Sequence, residues 1–225
     1  MQLVEIDMAM VGGASFFHSD TLVLISQSRS LSAKGSNPFS SEADGLVVGE
    51  GYVVLMLERL DQAIAQQRRV LAVLPRVGTS SDGRGKSLWA PRMEGQILAI
   101  QRAYNERVRP GELRYVEAHA TSTSLGDITE MKELTTVFGQ HLPGDAEVPV
   151  GSAKLNVGHT LESAGLVGVA KAILALQHNV IPPAIDQRPL NPQIDWENIP
   201  FYAPRQEVAW PRRQDGIPRR AAVDA

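Results

Sequence analysis

The stretch LRYVEAH, residues 113–119, decides how the rest of the chain is read. It is a short apolar run that ends on a histidine, His119. A second such run, VPVGSAK at residues 148–154, ends on Lys154, and a long apolar helical pattern follows His159. In open α/β folds, ligand sites lie where strands are followed by helices. We therefore expect His119, Lys154 and His159 to meet at one edge of a sheet.

The order of the segments predicts an α/β fold with largely parallel strands, because strand patterns alternate with longer helical patterns. Further strands are predicted over 1–14, 52–57 (as a buried strand), 70–77 and 220–223. Helices are predicted over 21–28, over 60–65, and along the face formed by Ile97, Ile100 and Tyr104. The patterns at both ends of the chain break off within a strand, so we expect a fragment of a larger fold.

Composition narrows the possible functions. The 225 residues suffice for one domain or a compact pair. A formal net charge of −3 gives no basic surface, so nucleic acid is not an expected partner. No apolar run approaches the ~20 residues of a membrane helix, and the first residues lack the basic region of a signal peptide. We expect a cytoplasmic protein without a membrane partner.

Two histidines and a lysine near strand ends suit chemistry in which an oxygen becomes negatively charged. Imidazole N–H and ammonium groups can stabilise an enolate or an oxyanion. His159 lies just before a helix, whose positive N-terminal end disfavours a protonated imidazole. Lys154 can fix the local charge. The hydroxyl groups of Thr121 and Thr123, which follow His119, can bind a polar linker.

Other polar residues receive structural interpretations. Histidines without such a context are most often partly buried and satisfied, and we assign no site to His18, His141 and His178. Asp127 and Glu130 are predicted as charges that favour a helix N-terminus. Residues 83–86 match no phosphate-binding spacing and are predicted as a solvated loop. The glycines within residues 44–51 are assigned to turns.

Three motifs resemble those of one family. EAHATSTSLGD at residues 117–127 is similar to the ketosynthase motif EAHGTGTxxGD, and GSAKLNVGHT at residues 151–160 is similar to GSxKxNxGHT. ADGLVVGEG at residues 43–51 resembles ADGxVxGEG. The resemblance covers nearly the whole chain. The family is the β-ketoacyl synthases of fatty-acid and polyketide assembly, whose thiolase-like fold is layered α-β-α-β-α.

The resemblance implies an acyltransferase that performs decarboxylative Claisen condensation with a malonyl group. His119 and His159 match the two catalytic histidines, and Lys154 matches the lysine that organises them. Thr121 and Thr123 match the threonines that contact the phosphopantetheine arm of an acyl carrier protein. No cofactor or metal is implied beyond that arm, which carries the substrate.

The chain departs from the family pattern in three ways. It contains no cysteine, although the family's nucleophile is a cysteine on an element that would precede Met1. The family's late glycine-rich loop would follow Val223. Ala120 replaces a glycine of the motif, so we expect its backbone to avoid a glycine-only conformation. The alanine-containing form is also a weak pointer to iterative polyketide or polyunsaturated fatty-acid synthases.

By resemblance, residues 1–68 are the end of the N-terminal half of the fold, and residues 69–225 are most of the C-terminal half. We expect a chain that is inactive alone and that requires a cysteine-bearing N-terminal half, in the same chain or as a separate subunit. We also expect a homo- or heterodimer. Two alternatives stay open. The chain is a non-catalytic subunit like a chain-length factor, or it is one polypeptide of a split ketosynthase.

Overall fold

The computed structural model describes residues 6–16, 18–81, 83, 92–186 and 188–225. The helices are α1 (Ser19–Gln27), α2 (Leu60–Ala65), α3 (Met93–Arg102), α4 (Ser124–Phe138), α5 (Lys154–Val157) and α6 (Ala164–His178). The strands are β1 (Met8–Ser15), β2 (Gly51–Glu58), β3 (Tyr115–Glu117), β4 (Val148–Gly151), β5 (Val180–Ile181), β6 (Phe201–Tyr202), β7 (Val208–Ala209) and β8 (Ala221–Val223). Short 3-10 helices at Pro110–Glu112 and Leu161–Ser163 precede β3 and α6.

A four-stranded parallel sheet with the order β6-β4-β3-β8 forms the centre of the fold. Val116 of β3 pairs with Val150 of β4 on one side and with Ala222 of β8 on the other. Every residue of β3 and β4 is buried, as is typical of parallel strands covered on both faces. The strands predicted around LRYVEAH, around VPVG and at 220–223 are confirmed, and β3 and β4 end side by side.

The main hydrophobic core lies between this sheet and α4. Met131, Leu134 and Phe138 project from the buried face of α4, and burying each such side chain stabilises the fold by roughly 1.5–3 kcal/mol. Phe138 also makes edge-to-face contacts with Tyr104 and Phe201, at ring-centroid distances of 5.4 and 6.2 Å. This packing fixes α4 against the sheet from which His119 emerges.

Strands β1 and β2 form a separate antiparallel pair, in which Met10 lies opposite Met56. Side chains alternate between the two faces, as the strand period of two requires. One face packs on residues 161–163 and α6, while Met10, Tyr52 and Met56 on the other face are 74%, 77% and 63% exposed. The prediction of a buried strand over 52–57 is therefore wrong for every second residue.

The strand predicted over 70–77 is wrong. Among the residues that the structure describes, 70–77 have no strand partner, and Leu71, Val73 and Leu74 are exposed. Apolar spacing suited a strand, but a strand also needs a neighbouring chain for its backbone hydrogen bonds. Here the carbonyl oxygen of Leu71 accepts a hydrogen bond from the side chain of Gln177 instead.

The predicted helices are confirmed as α1, α2, α3 and α6, although Tyr104 lies just beyond the end of α3. The loop predicted over 83–86 falls outside the described residues except for Gly83. Among the helices that the structure describes, none is both long enough and apolar enough to cross a bilayer.

Candidate active site

His119 follows β3 directly, and a buried carboxylate holds its backbone. Glu130 of α4 accepts hydrogen bonds from the backbone N–H groups of His119 at 2.6 Å and Ala120 at 2.7 Å. Burial raises the pKa of Glu130, and the neighbouring Asp224 carboxylate raises that pKa further. The interpretation of Glu130 as a charge placed for the helix N-terminus is corrected, because its side chain reaches back to the strand end.

Asp127 lies in the first turn of α4, as predicted, but it also ties the following loop to a distant segment. Its Oδ2 accepts a hydrogen bond from the backbone N–H of Phe39 at 2.9 Å. Burial raises the pKa of Asp127 to about 6, against the lowering effect of backbone hydrogen bonds from Phe39 and Ser122. The Ser122 hydroxyl in turn accepts from the N–H of Asn37 at 2.8 Å. The loop after His119 is thus held from both sides.

The backbone of this loop is in a conformation that most residues avoid. Ala120 has φ of 23° and Ser122 has φ of 64°, so the expectation that Ala120 would avoid such a conformation is wrong. Residues held in sparsely populated regions cost about 1–3 kcal/mol each and persist only where the surroundings enforce them. The bonds from Glu130 and Asp127 supply that enforcement.

The rings of His119 and His159 meet edge to face, with centroids 5.5 Å apart and planes at 86°. Burial, together with the positive charge of Lys154, lowers the pKa of His119 to about 3. Burial and Lys154 likewise lower the pKa of His159 to about 4. Both imidazoles are therefore neutral at pH 7. A neutral imidazole was expected for His159 from its position before a helix, but burial and Lys154 are the causes that lower its pKa. The Nδ1 of His159 accepts from the N–H of Leu161 at 3.1 Å, so its Nε2 carries the proton.

Two glycines place His159. A Cβ on Gly49 would lie 2.2 Å from the carbonyl oxygen of Val157, and Gly158 has φ of 71°. The backbones therefore approach closely enough for the N–H of His159 to donate to the carbonyl oxygen of Val47 at 2.6 Å. The glycines assigned to turns within residues 44–51 thus also permit a close approach to the histidine segment.

Lys154 begins α5, one residue after Ala153, and is 6% exposed. Burial lowers its pKa, and four carboxylates oppose that effect: Glu130, Glu117, Asp224 and Asp127. Lys154 also lowers the pKa of both histidines, so its positive charge acts on both rings. The structure therefore brings the rings of His119 and His159 into contact, with the buried charge of Lys154 acting on both.

The hydroxyl groups of Thr121 and Thr123 lie 3.1 Å apart in the loop that follows His119. Both residues are partly exposed. Gly126 leaves room for Thr123, because a Cβ at Gly126 would lie 2.4 Å from the Thr123 hydroxyl oxygen. The pair offers two polar groups on the accessible side of the site.

Sequence reasoning assigned no site role to Glu117, Asp127 and Glu130, although all three are buried carboxylates around the site. Glu117 and Asp127 are the first and last residues of the motif at residues 117–127, so their place in that motif could have indicated a role near the site. In the part of the chain that the structure describes, no group of three or more histidine or acidic side chains is arranged to hold a metal ion.

Two family models match this chain. Residues 1–63 match the β-ketoacyl synthase N-terminal domain, and residues 71–188 match the β-ketoacyl synthase C-terminal domain. The pikromycin polyketide synthase component PikAIII of Streptomyces venezuelae is 38% identical over 224 residues, which are 98% of this chain and 14% of that protein. The 6-methylsalicylic acid synthase of Penicillium expansum is 37% identical over 226 residues, or 99% of this chain and 13% of that protein.

Solved structures give the same assignment. The ketosynthase from module 6 of the bacillaene synthase of Bacillus subtilis matches 97% of this chain with a TM-score of 0.92 and 32% identity. An oxazolomycin ketosynthase domain of Streptomyces albus matches 96% with a TM-score of 0.88 and 32% identity. The chain spans 40% and 39% of those two structures. It belongs to the β-ketoacyl synthase family, has the thiolase-like α/β fold, and corresponds to part of a polyketide synthase ketosynthase domain.

Proposed function

We propose that this chain carries the histidine half of a ketosynthase active site for decarboxylative Claisen condensation. The observation that carries the proposal is the meeting of two neutral imidazoles with the ammonium group of Lys154. A neutral imidazole can donate its N–H to an enolate oxygen. A hydrogen-bond donor in a buried site stabilises that oxygen more strongly than the same donor in water. The proposed substrate is a malonyl thioester on an acyl carrier protein.

In the proposed reaction, an acyl group is held as a thioester on a cysteine outside this sequence. The malonyl carboxylate leaves as CO₂, and the electron pair of the broken C–C bond forms an enolate on the carrier thioester. The enolate carbon then attacks the acyl carbonyl carbon, a C–C bond forms, and the cysteine leaves as a thiolate. His119 and His159 stabilise the enolate oxygen, and Lys154 fixes the local charge.

The remaining assignments belong to the same proposal. Thr121 and Thr123 bind the phosphopantetheine arm, which their partly exposed position in the loop after His119 favours. The cysteine comes from an N-terminal ketosynthase half, and a solved form of the Bacillus subtilis ketosynthase replaces a cysteine with serine. We keep 1–68 and 69–225 as the two halves, and the family models match on either side of that division. Dimerisation and a cytoplasmic location stay predictions.

A condensation assay with acyl and malonyl carrier proteins tests the proposal. The chain alone should give no product, because nucleophile and enolate-stabilising groups must share one site. Addition of a cysteine-bearing N-terminal ketosynthase polypeptide should restore turnover. Product formed by the chain alone would refute the assignment of the nucleophile to another segment.

The two alternatives predict different results with variants. If the chain is a non-catalytic subunit, His119→Ala leaves the activity of the assembled complex unchanged, whereas the catalytic proposal requires its loss. If the enzyme is split, the chain should co-purify with a separate cysteine-bearing polypeptide. The exposed apolar face of β1 and β2 (Met10, Tyr52 and Met56) is a surface on which such a polypeptide could pack.

A further inference from the structure

A buried ion pair lies behind the candidate site, outside the residues assigned to the reaction. Glu117, the last residue of β3, is 2% exposed. Its Oε2 lies 2.8 Å from Nζ of Lys171 on α6 and accepts a hydrogen bond from the Tyr115 hydroxyl at 2.5 Å. Its Oε1 accepts from the backbone N–H of Ala153 at 2.5 Å. A single carboxylate therefore joins β3, α6 and the turn that carries Lys154.

Two glycines leave space for this pair. A Cβ on Gly168 would lie 3.2 Å from Cγ of Glu117, and a Cβ on Gly151 would lie 3.1 Å from the Tyr115 hydroxyl oxygen and 3.4 Å from Nζ of Lys171. The distances of 3.2 Å and 3.1 Å are tight for a methyl group. Closely packed interiors resist small rearrangements, so the carboxylate and the ammonium group have little freedom to move.

The ion pair is connected through the backbone to two residues of the candidate site. Glu117 precedes His119 by two residues, and Ala153 directly precedes Lys154. A buried ion pair is weak evidence for stability as such, because desolvation of both charges offsets their attraction. The hydrogen bond that Glu117 accepts from the backbone N–H of Ala153, by contrast, fixes the position of the turn that contains Ala153.

We infer that Glu117 and Lys171 are positioning residues, which hold the turn at residues 152–154, and with it Lys154, against β3. The catalytic consequence rests on the proposed function, whereas the positioning is a property of the fold. Glu117 forms the link, and Lys171 supplies the countercharge that lets a carboxylate sit there.

The test follows the imidazole NMR signals of the 225-residue chain labelled with ¹⁵N-histidine. Glu117→Gln keeps an acceptor for Ala153 but leaves the Lys171 ammonium buried without a countercharge. We expect it to shift the signals of His119 and His159. The double variant Glu117→Gln with Lys171→Met removes both charges, and we expect it to return those signals toward their wild-type positions. The exposed histidines serve as internal references: His18, His141 and His178.

Glu112→Gln is the matched control, because it breaks another partly buried ion pair, between Glu112 and Arg220 at 2.7 Å, in the segment that precedes β3, whereas His119 follows that strand. It should leave the signals of His119 and His159 in place. The inference is overturned if Glu117→Gln leaves those signals unmoved, or if the double variant folds and stays as perturbed as the single one. If Glu117→Gln does not fold, the double variant provides the test. Histidine signals at wild-type positions in the double variant support the inference, and failure of both variants to fold overturns it.

A second measurement connects the pair to the chemistry. In the complex with a cysteine-bearing ketosynthase half, Glu117→Gln should lower kcat for CO₂ release from malonyl carrier protein by about 10- to 100-fold, with little change in KM, since misplacement of a catalytic group acts on the chemical step. The double variant should recover most of that loss. Absence of CO₂ release from the wild type would contradict the proposed function and leave the NMR result to decide the positioning role.

Discussion

Replacing Glu130 with alanine removes the acceptor of two backbone N–H groups at the end of β3. The lost partners are the N–H groups of His119 and Ala120, at 2.6 and 2.7 Å. Each buried N–H group left without a partner costs about 1–3 kcal/mol, so the gross cost is roughly 2–6 kcal/mol. Burial beside Asp224 raises the pKa of Glu130 and makes its charge unfavourable, which offsets part of that cost. We predict that the free energy of unfolding falls by about 2–3 kcal/mol. This is a large share of the roughly 5–15 kcal/mol that is typical of the free energy of unfolding of a native protein.

Urea denaturation at pH 7 measures this loss as a change in the free energy of unfolding. Thr129→Ala, on the exposed side of the same helix, is the control and should stay within about 0.5 kcal/mol of the wild type. Amide hydrogen exchange should also accelerate at His119 and Ala120 in the Glu130 variant. An alanine variant as stable as the Thr129 control would refute the role of Glu130 in holding the strand end.

Three further predictions concern the histidines, a glycine and the exposed sheet face. His119 and His159 should be neutral at pH 6 and gain protons only as the pH approaches their folded-state pKa values, which are lowered to about 3 and about 4. Their contribution to stability is present above pH 6.5 and is lost as the pH falls through those values. An NMR titration midpoint above pH 6 for either ring would contradict this. Gly49→Ala should destabilise the chain by about 1–3 kcal/mol through overpacking. Gly51→Ala is the control for thermal unfolding, because a Cβ at Gly51 has no described atom within 4 Å. The chain should self-associate in size-exclusion chromatography through the exposed apolar face of β1 and β2, and Met56→Lys should reduce that association. A monodisperse wild-type monomer would contradict this prediction.

The sequence predicted those parts of the fold that depend on local pattern. The apolar runs of β3 and β4, and the long helical pattern of α6, are visible without knowledge of their neighbours. The motifs also placed His119, Lys154 and His159 at one sheet edge, because parallel strands end on the same side. Their catalytic roles remain predictions.

The failures have a common physical cause, which is dependence on distant partners. Residues 70–77 have the apolar spacing of a strand, but pairing cannot be read from one segment. Ala120 adopts a positive φ because Glu130, ten residues later, bonds its N–H. Asp127 bonds the N–H of Phe39, which no local pattern indicates. Glu117 was missed for the same reason, since its partners lie on α6 and beside Lys154.

Release of CO₂ from malonyl carrier protein tests the central claim most directly. The chain is combined with a cysteine-bearing ketosynthase half, and His119→Ala and His159→Ala, which remove the imidazole donor, are compared with His141→Ala, a change at an exposed histidine. Loss of a preorganised donor at a developing oxyanion costs about 100- to 1,000-fold in rate, so each site variant should fall by that factor while the His141 variant keeps wild-type turnover. Decarboxylation at the wild-type rate in both site variants would show that these imidazoles do not stabilise the enolate.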